Sequence, residues 1–226
     1  MSGRVFAITG GFGVLGQAVA RAALAAGHTV ALIDAAAEGR GLPDGVLALG
    51  GVDLMEVAQA RSAMDRVALD LGGLDVLVNV AGGFVWQTLA DGDPANWDRM
   101  YRLNTLTCAN ASRAALPHLL ASKAGRIVSV GAGGAVKAAG GMGAYAASKA
   151  GVHRLTESLA EETKGKITVN AVLPSIIDTP TNRADMPDAD FGAWVTPDEV
   201  AQAILWLASE AASGVTGALL PVTGRV

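Results

Sequence analysis

Among the 226 residues, Tyr145 and Lys149 form the pair best suited to acid/base chemistry, four positions apart in the run Gly143-Ala-Tyr-Ala-Ala-Ser-Lys-Ala-Gly151. The run is compatible with a helix, and residues i and i+4 of a helix lie on one face about one turn apart. The hydroxyl and the ammonium can therefore point into one site. A phenol titrates near pH 10 in water, and a cation held close favours the phenolate. Tyr145 is thus expected to exchange a proton with a substrate oxygen or nitrogen near neutral pH. Such a pair also occurs on helix surfaces with no task beyond solubility, so the surrounding elements must decide.

The first of those elements is a short apolar run, Arg4–Thr9, followed at once by Gly10-Gly11-Phe12-Gly13-Val14-Leu15-Gly16 and the helix-compatible segment Gln17–Ala26. Gly11, Gly13 and Gly16 spell G-x-G-x-x-G between a strand and a helix, the context this fingerprint requires. Its glycines let the backbone approach a pyrophosphate, which then sits against free N–H groups at the positive end of the helix dipole. The next strand, Thr29–Asp34, ends in an acid 18 residues beyond Gly16. A carboxylate there accepts hydrogen bonds from an adenosine ribose diol and repels a 2′-phosphate. Neither Lys nor Arg follows Asp34 before Arg40, so NAD(H) is expected over NADP(H).

Strands are then expected at Val46–Gly50, Leu74–Asn79, Arg126–Val130, Thr168–Leu173 and Ala218–Val222. Helices are expected at Leu54–Leu71, Trp97–Ala121, around Tyr145, and at Pro197–Ser209, where Thr196-Pro197-Asp198-Glu199 is a capping box. The segment up to Val195 reads as irregular. About seven strands flanked by helices predict one α/β domain over residues 1–226, a doubly wound parallel sheet. The loops after its strands open on the edge where ligands bind, which brings Asp53, Ala81-Gly82 and the Tyr145 helix beside the nucleotide.

Composition excludes several classes. Hydrophobic residues make up 51% and charged residues 17% of the chain, so a large core is expected and disorder is not. The net charge of -4 and the absence of Lys/Arg runs leave no footprint for nucleic acid or an anionic membrane. Apolar runs are too short to span a bilayer and no signal segment precedes the first strand, so a cytoplasmic protein is expected. Cys108 is the sole cysteine and reads as a buried helix residue; His28, His118 and His153 lack metal-ligand spacing, so no metal is expected. Trp97 and Trp206 read as core. The alanine-rich helices Trp97–Ala121 and Gly143–Glu162 suit packing across a two-fold axis, hence a homodimer or homotetramer.

Taken together, Thr9-Gly10 with its glycine loop, Asp34, Asp53-Leu54, Asn79-Val80-Ala81-Gly82, Asn104, Tyr145-x-x-x-Lys149 and Pro174…Thr179 resemble the short-chain dehydrogenases/reductases from Arg4 to about Val222. The resemblance implies a Rossmann domain and an oxidoreductase. It makes Tyr145 the acid/base, Lys149 the group that holds the nicotinamide ribose and lowers the tyrosine pKa, and Asn104 the anchor of a relay water. It also assigns Gly10 to Gly16 (Gly11, Phe12, Gly13, Val14 and Leu15 between) to pyrophosphate, Asp34 to ribose and Asp53 with Leu54 to adenine. Ala81 and Gly82 would line the cofactor, Pro174, Ile177 and Thr179 would lie by the carboxamide, and Asn79 would brace the sheet.

Two departures bear on substrate. Val14 stands where the family's loop usually has its middle glycine, and the serine expected 13 residues before the tyrosine is Ala132. That serine normally holds a substrate carbonyl, and alanine cannot. Losing one oriented donor typically costs about 100-fold in rate. Ser129 and, better, Ser175 are the candidate substitutes. The dihydropteridine reductase branch works without the serine, and this chain resembles it at Leu173-Pro174, Asp178-Thr179-Pro180, Asn182-Arg183, Met186-Pro187, Ala189-Asp190-Phe191 and Trp194. Phe84 or Trp86 could stack on a pterin ring. Three readings stay open: a reductase or dehydrogenase of small carbonyl, alcohol or quinonoid substrates, a dihydropteridine reductase proper, and a dinucleotide sensor without activity.

Overall fold

The computed structural model describes residues 3–226. Its seven strands are β1 (Val5–Thr9), β2 (Thr29–Ile33), β3 (Leu47–Leu49), β4 (Val76–Asn79), β5 (Arg126–Val130), β6 (Thr168–Pro174) and β7 (Leu219–Val222). They form one sheet of order β3-β2-β1-β4-β5-β6-β7, parallel at every pairing. The order reverses after β1, and such reversals are where doubly wound sheets open a crevice. The main helices are α1 (Val14–Ala25), α2 (Val57–Leu71), α3 (Ala95–Met100), α4 (Thr107–Ala121), α5 (Gly143–Glu162), α6 (Pro180–Asp185) and α7 (Pro197–Ala208).

Alternation along each strand divides the core between two faces. Phe6 and Ile8 of β1 pack with α1 and α7, whereas Ala7 between them packs with α2, α4 and α5. Both faces are covered, which is why the central strands read as unbroken apolar runs such as VFAIT and VLVN. At the β2 side of the α1 face no helix intervenes before β3. Leu42 and Val46 from the connecting loop pack on the core there, and Gln17 Nε2 on α1 donates to the Arg40 carbonyl at 3.2 Å.

The expected strands and main helices are present, with four differences. Helix α1 begins at Val14 and not Gln17, so Val14, Leu15 and Gly16 form its first turn. The long helix expected from Trp97 is α3, then a π-helical turn Tyr101–Leu106, then α4. The segment expected to be irregular contains α6, where Thr179 caps the Asn182 N–H with Pro180 at the first turn, and a 3₁₀ turn at Phe191–Ala193. Trp97 and Trp206 are not core residues: they are 43% and 44% exposed, Trp97 at the rim of a cavity beside Gly143 of α5. The Thr196–Glu199 capping box is formed in both directions. Among the described residues no helix is long and apolar enough to cross a membrane.

Candidate active site

The carboxyl edge of the sheet is built first by the loop after β1. Gly10 adopts φ +62°, a left-handed conformation open to glycine, and a Cβ there would lie 2.8 Å from the Ala81 amide nitrogen. Gly16 is needed for a different reason: its Cβ would be 2.3 Å from the Gly10 carbonyl oxygen, so the first turn of α1 can close on the loop only without a side chain. Thr9 Oγ1 accepts from the Val80 and Ala81 N–H groups at 3.1 and 3.2 Å and so ties this loop to the end of β4. Helix α1 points its unpaired N-terminal N–H groups at the space above.

Asp34 follows β2 directly. One carboxylate oxygen accepts the Phe12 N–H at 3.0 Å and the other the Ala36 N–H at 3.0 Å, which joins the glycine loop to the second strand. Asp53 caps the Met55 N–H at 2.8 Å, and Asn110 on α4 donates to the Leu54 and Met55 carbonyls at 3.0 and 3.1 Å. These anchors hold open a cleft of about 440 Å³.

The cleft is lined by Gly10, Gly13, Val14, Leu15, Gly16, Asp34, Asp53, Leu54, Ala81, Gly82 and Thr179, all of them expected from the sequence. Gly11 and Phe12 do not line it. A Cβ on Gly11 would meet Leu32, and the Phe12 ring lies against Gly39. Pro174 is buried at the end of β6, and Ile177 packs on the α1/α7 core while its carbonyl accepts from Asn182 Nδ2 at 2.7 Å. The sequence reading missed Leu103 and Thr107, four residues and so about one helical turn apart, and also Ala35, Val52, Met55 and Thr181. That spacing was the available signal for the first two.

The acid/base pair stands on α5 at the same edge. Lys149 is buried and its Nζ donates to the Val130 carbonyl at 2.7 Å. Burial lowers its pKa to about 8 and raises that of the Tyr145 phenol to about 12. The expected depression of the tyrosine pKa by the lysine is therefore not observed in this state. Loss of water around the hydroxyl dominates, and the ammonium is turned to the end of β5. Asn104 lies in the π-helical turn, a feature frequent at functional sites. Its Oδ1 accepts the Gly83 N–H at 2.9 Å, and its Nδ2 donates to the Gly83 carbonyl and Ser148 Oγ at 3.0 and 2.9 Å. Both amide hydrogens and one acceptor site of the side chain are thereby engaged.

On the substrate side, the Phe84 ring stands edge-on to Tyr145, with centroids 4.9 Å apart and planes at 80°. Trp86 is exposed but pinned: Nε1 donates to the Gly140 carbonyl at 3.1 Å and its ring covers Gly141. Neither candidate serine replaces the missing hydroxyl. Ser129 is buried beneath the sheet edge and accepts from Asn79 Nδ2 at 3.2 Å; Ser175 Oγ donates to the Thr223 carbonyl at 2.7 Å. Asn79 also donates to Ser112 at 3.0 Å, the bracing role expected of it. Ala132 is buried, and its N–H donates to His153 Nε2 at 3.3 Å. Among the described residues no cluster of three or more His, Cys, Asp or Glu is placed to hold a metal.

A parallel sheet with a glycine-lined cleft at its switch point, and a half-buried tyrosine and a buried lysine beside it, defines the class of nucleotide-binding α/β oxidoreductases. Within that class the chain belongs to the short chain dehydrogenase family, whose model matches residues 4–190. It is 32% identical to 2-(S)-hydroxypropyl-CoM dehydrogenase 3 of Xanthobacter autotrophicus, over 99% of this chain and 96% of that relative. To the 3-oxoacyl-[acyl-carrier-protein] reductase FabG of Thermotoga maritima it is 31% identical, over 99% and 98%. The crystal structure of 3-ketoacyl-(acyl-carrier-protein) reductase from Brucella melitensis complexed with NADH superposes with a TM-score of 0.88 at 27% identity, over 99% and 98%.

Proposed function

We propose that the protein is an NAD(H)-dependent oxidoreductase whose acceptor is a flat, conjugated ring of quinonoid type, protonated by Tyr145. The observation that carries the substrate class is the absence of a hydroxyl at Ala132 together with the engagement of Ser129 and Ser175 elsewhere. A simple ketone needs an oriented donor to stabilise charge on its oxygen. A quinonoid ring is already activated and depends less on one, and the exposed Phe84 ring beside Tyr145 offers it an aromatic partner. Quinonoid dihydropterin is the candidate favoured by the resemblance of Leu173–Trp194 to dihydropteridine reductase.

The residues present fit a dinucleotide. The glycine loop would take the pyrophosphate, Asp34 the adenosine ribose, Asp53 and Leu54 the adenine, Ala81 and Gly82 the middle of the cofactor, Thr179 the carboxamide, and Lys149 the second ribose. When bound, the nicotinamide supplies or takes up a hydride. Asp34 supports NAD(H) over NADP(H), because a 2′-phosphate would meet its carboxylate with no Lys or Arg among the lining residues. Burial keeps the Tyr145 phenol in its protonated form, the form a proton donor in reduction starts from. The same reading takes the protein as cytoplasmic and as a homodimer or homotetramer.

A second reading, oxidation of a small secondary alcohol or reduction of its ketone, is favoured by the full-length similarity to 2-(S)-hydroxypropyl-CoM dehydrogenase 3. The test is NADH oxidation by the purified protein with quinonoid dihydropterin, a quinone panel and a ketone panel. Turnover of the quinonoid acceptors at least tenfold faster than ketones is expected. Preference for ketones would replace the first reading by the second, and NADH binding without any turnover would leave a dinucleotide sensor.

A further inference from the structure

Tyr145, Lys149 and His153 stand at successive turns of one face of α5. The first two belong to the proposed reaction; His153 has no part in it so far. Its side chain is 3% exposed, and its Nε2 accepts the Ala132 N–H. The imidazole also occupies the space where a side chain on residue 131 would begin. A Cβ on Gly131 would lie 2.5 Å from Nε2 and 2.8 Å from Cδ2, and its φ is not left-handed, so space alone calls for glycine. Burial, with the Arg154 and Lys149 charges nearby, lowers the pKa of His153 and keeps the neutral form that can accept an N–H. One turn earlier, Lys149 holds the Val130 carbonyl at 2.7 Å. Consecutive turns of α5 thus grip the backbone on either side of Gly131.

We propose that His153 is a positioning residue of the substrate site: it takes the Ala132 N–H, fills the space beneath Gly131, and so sets the wall that residue 132 presents to the acceptor. With its amide engaged and no hydroxyl, that wall gives the acceptor no donor. This deepens the substrate reading above and rests on it. A histidine that merely packed would be replaceable by any side chain of its bulk, whereas a positioning histidine needs an acceptor atom where Nε2 stands.

Two variants separate these roles. His153→Leu keeps most of the bulk and has no acceptor; His153→Gln can accept the same N–H through its amide oxygen. In NADH-driven reduction of the best acceptor, His153→Leu is expected to raise the acceptor KM about tenfold, the loss of one oriented hydrogen bond, with kcat and NADH affinity within about twofold. His153→Gln should stay within about twofold of the unmodified protein in all three. Hydrogen exchange at the Ala132 amide, followed by NMR, reads the bond without turnover: protection should fall in the Leu variant and persist in the Gln variant. Equal behaviour of the two variants, or undiminished Ala132 protection in His153→Leu, would overturn the proposal. If no quinonoid acceptor is turned over, the substrate reading fails by itself, and the exchange result still decides whether His153 holds Ala132. Should His153→Leu not fold, Gly131→Ala displaces the imidazole from the other side; an unchanged acceptor KM in that variant would equally overturn the role.

Discussion

Lys149 Nζ donates to the Val130 carbonyl at 2.7 Å, so the ammonium of α5 is tied to the last residue of β5. One of its three N–H groups is used there and two remain to donate elsewhere. The bond also fixes Lys149 in a place where burial disfavours its charge.

Stability in alkali follows from that placement, with opposite signs for the two members of the pair. Lys149 has its pKa lowered from 10.5 to about 8, so between those values the unfolded chain binds more protons and this group makes unfolding free energy rise with pH. The full contribution is on the order of 3 kcal/mol, present above pH 10.5 and lost as pH falls through about 8. Tyr145 has its pKa raised from 10.0 to about 12, so its contribution is present below pH 10.0 and is lost as pH rises through about 12. Urea unfolding at pH 7.5, 9 and 10.5 should show the rise in the unmodified protein and not in Lys149→Met. Parallel pH curves for the two proteins would contradict the assignment.

Tyr145→Phe removes the phenolic proton proposed for the acceptor and leaves the ring packed edge-on against Phe84. Loss of a positioned general acid typically costs about 10²–10⁴ in rate. Turnover is expected to drop in that range while NADH titration by fluorescence gives an affinity within about threefold. Retained activity would move the proton donor to another residue.

Asp34 joins the glycine loop to β2 by accepting the Phe12 and Ala36 N–H groups while lining the cleft. Asp34→Asn keeps an oxygen for one of those amides and removes the negative charge. The ratio of kcat/KM for NADH over NADPH is expected to fall at least tenfold, about 1.4 kcal/mol of discrimination. An unchanged ratio would place cofactor selectivity outside this residue.

Ala132→Ser adds the hydroxyl absent at that position. Simple ketone reduction should rise at least tenfold, since an oriented donor of this kind is worth about 2.7–4 kcal/mol where fully used. Quinonoid turnover should change less than threefold. A rise in both activities alike would show that residue 132 does not distinguish the two acceptor classes.

Much of the site was legible because its geometry is local. The Tyr145–Lys149 spacing, the strand–loop–helix setting of Gly10–Gly16 and the Thr196–Glu199 capping box depend on chain stereochemistry over a few residues, and the unbroken apolar runs between helical segments specified a parallel sheet covered on both faces. What only the tertiary structure decided was choice of partner and loss of water. Ser129 turns to Asn79, 50 residues away, and Ser175 to Thr223, so neither hydroxyl replaces the one absent from Ala132. The π-helical turn at Asn104 interrupts what reads as one helix, and His153 reaches back 21 residues to Ala132. Tyr145 titrates upward, not downward, because burial around the hydroxyl outweighs a lysine turned to Val130. Periodicity and spacing act along the chain and can be read from it; desolvation and hydrogen-bond competition act between segments that meet only after folding.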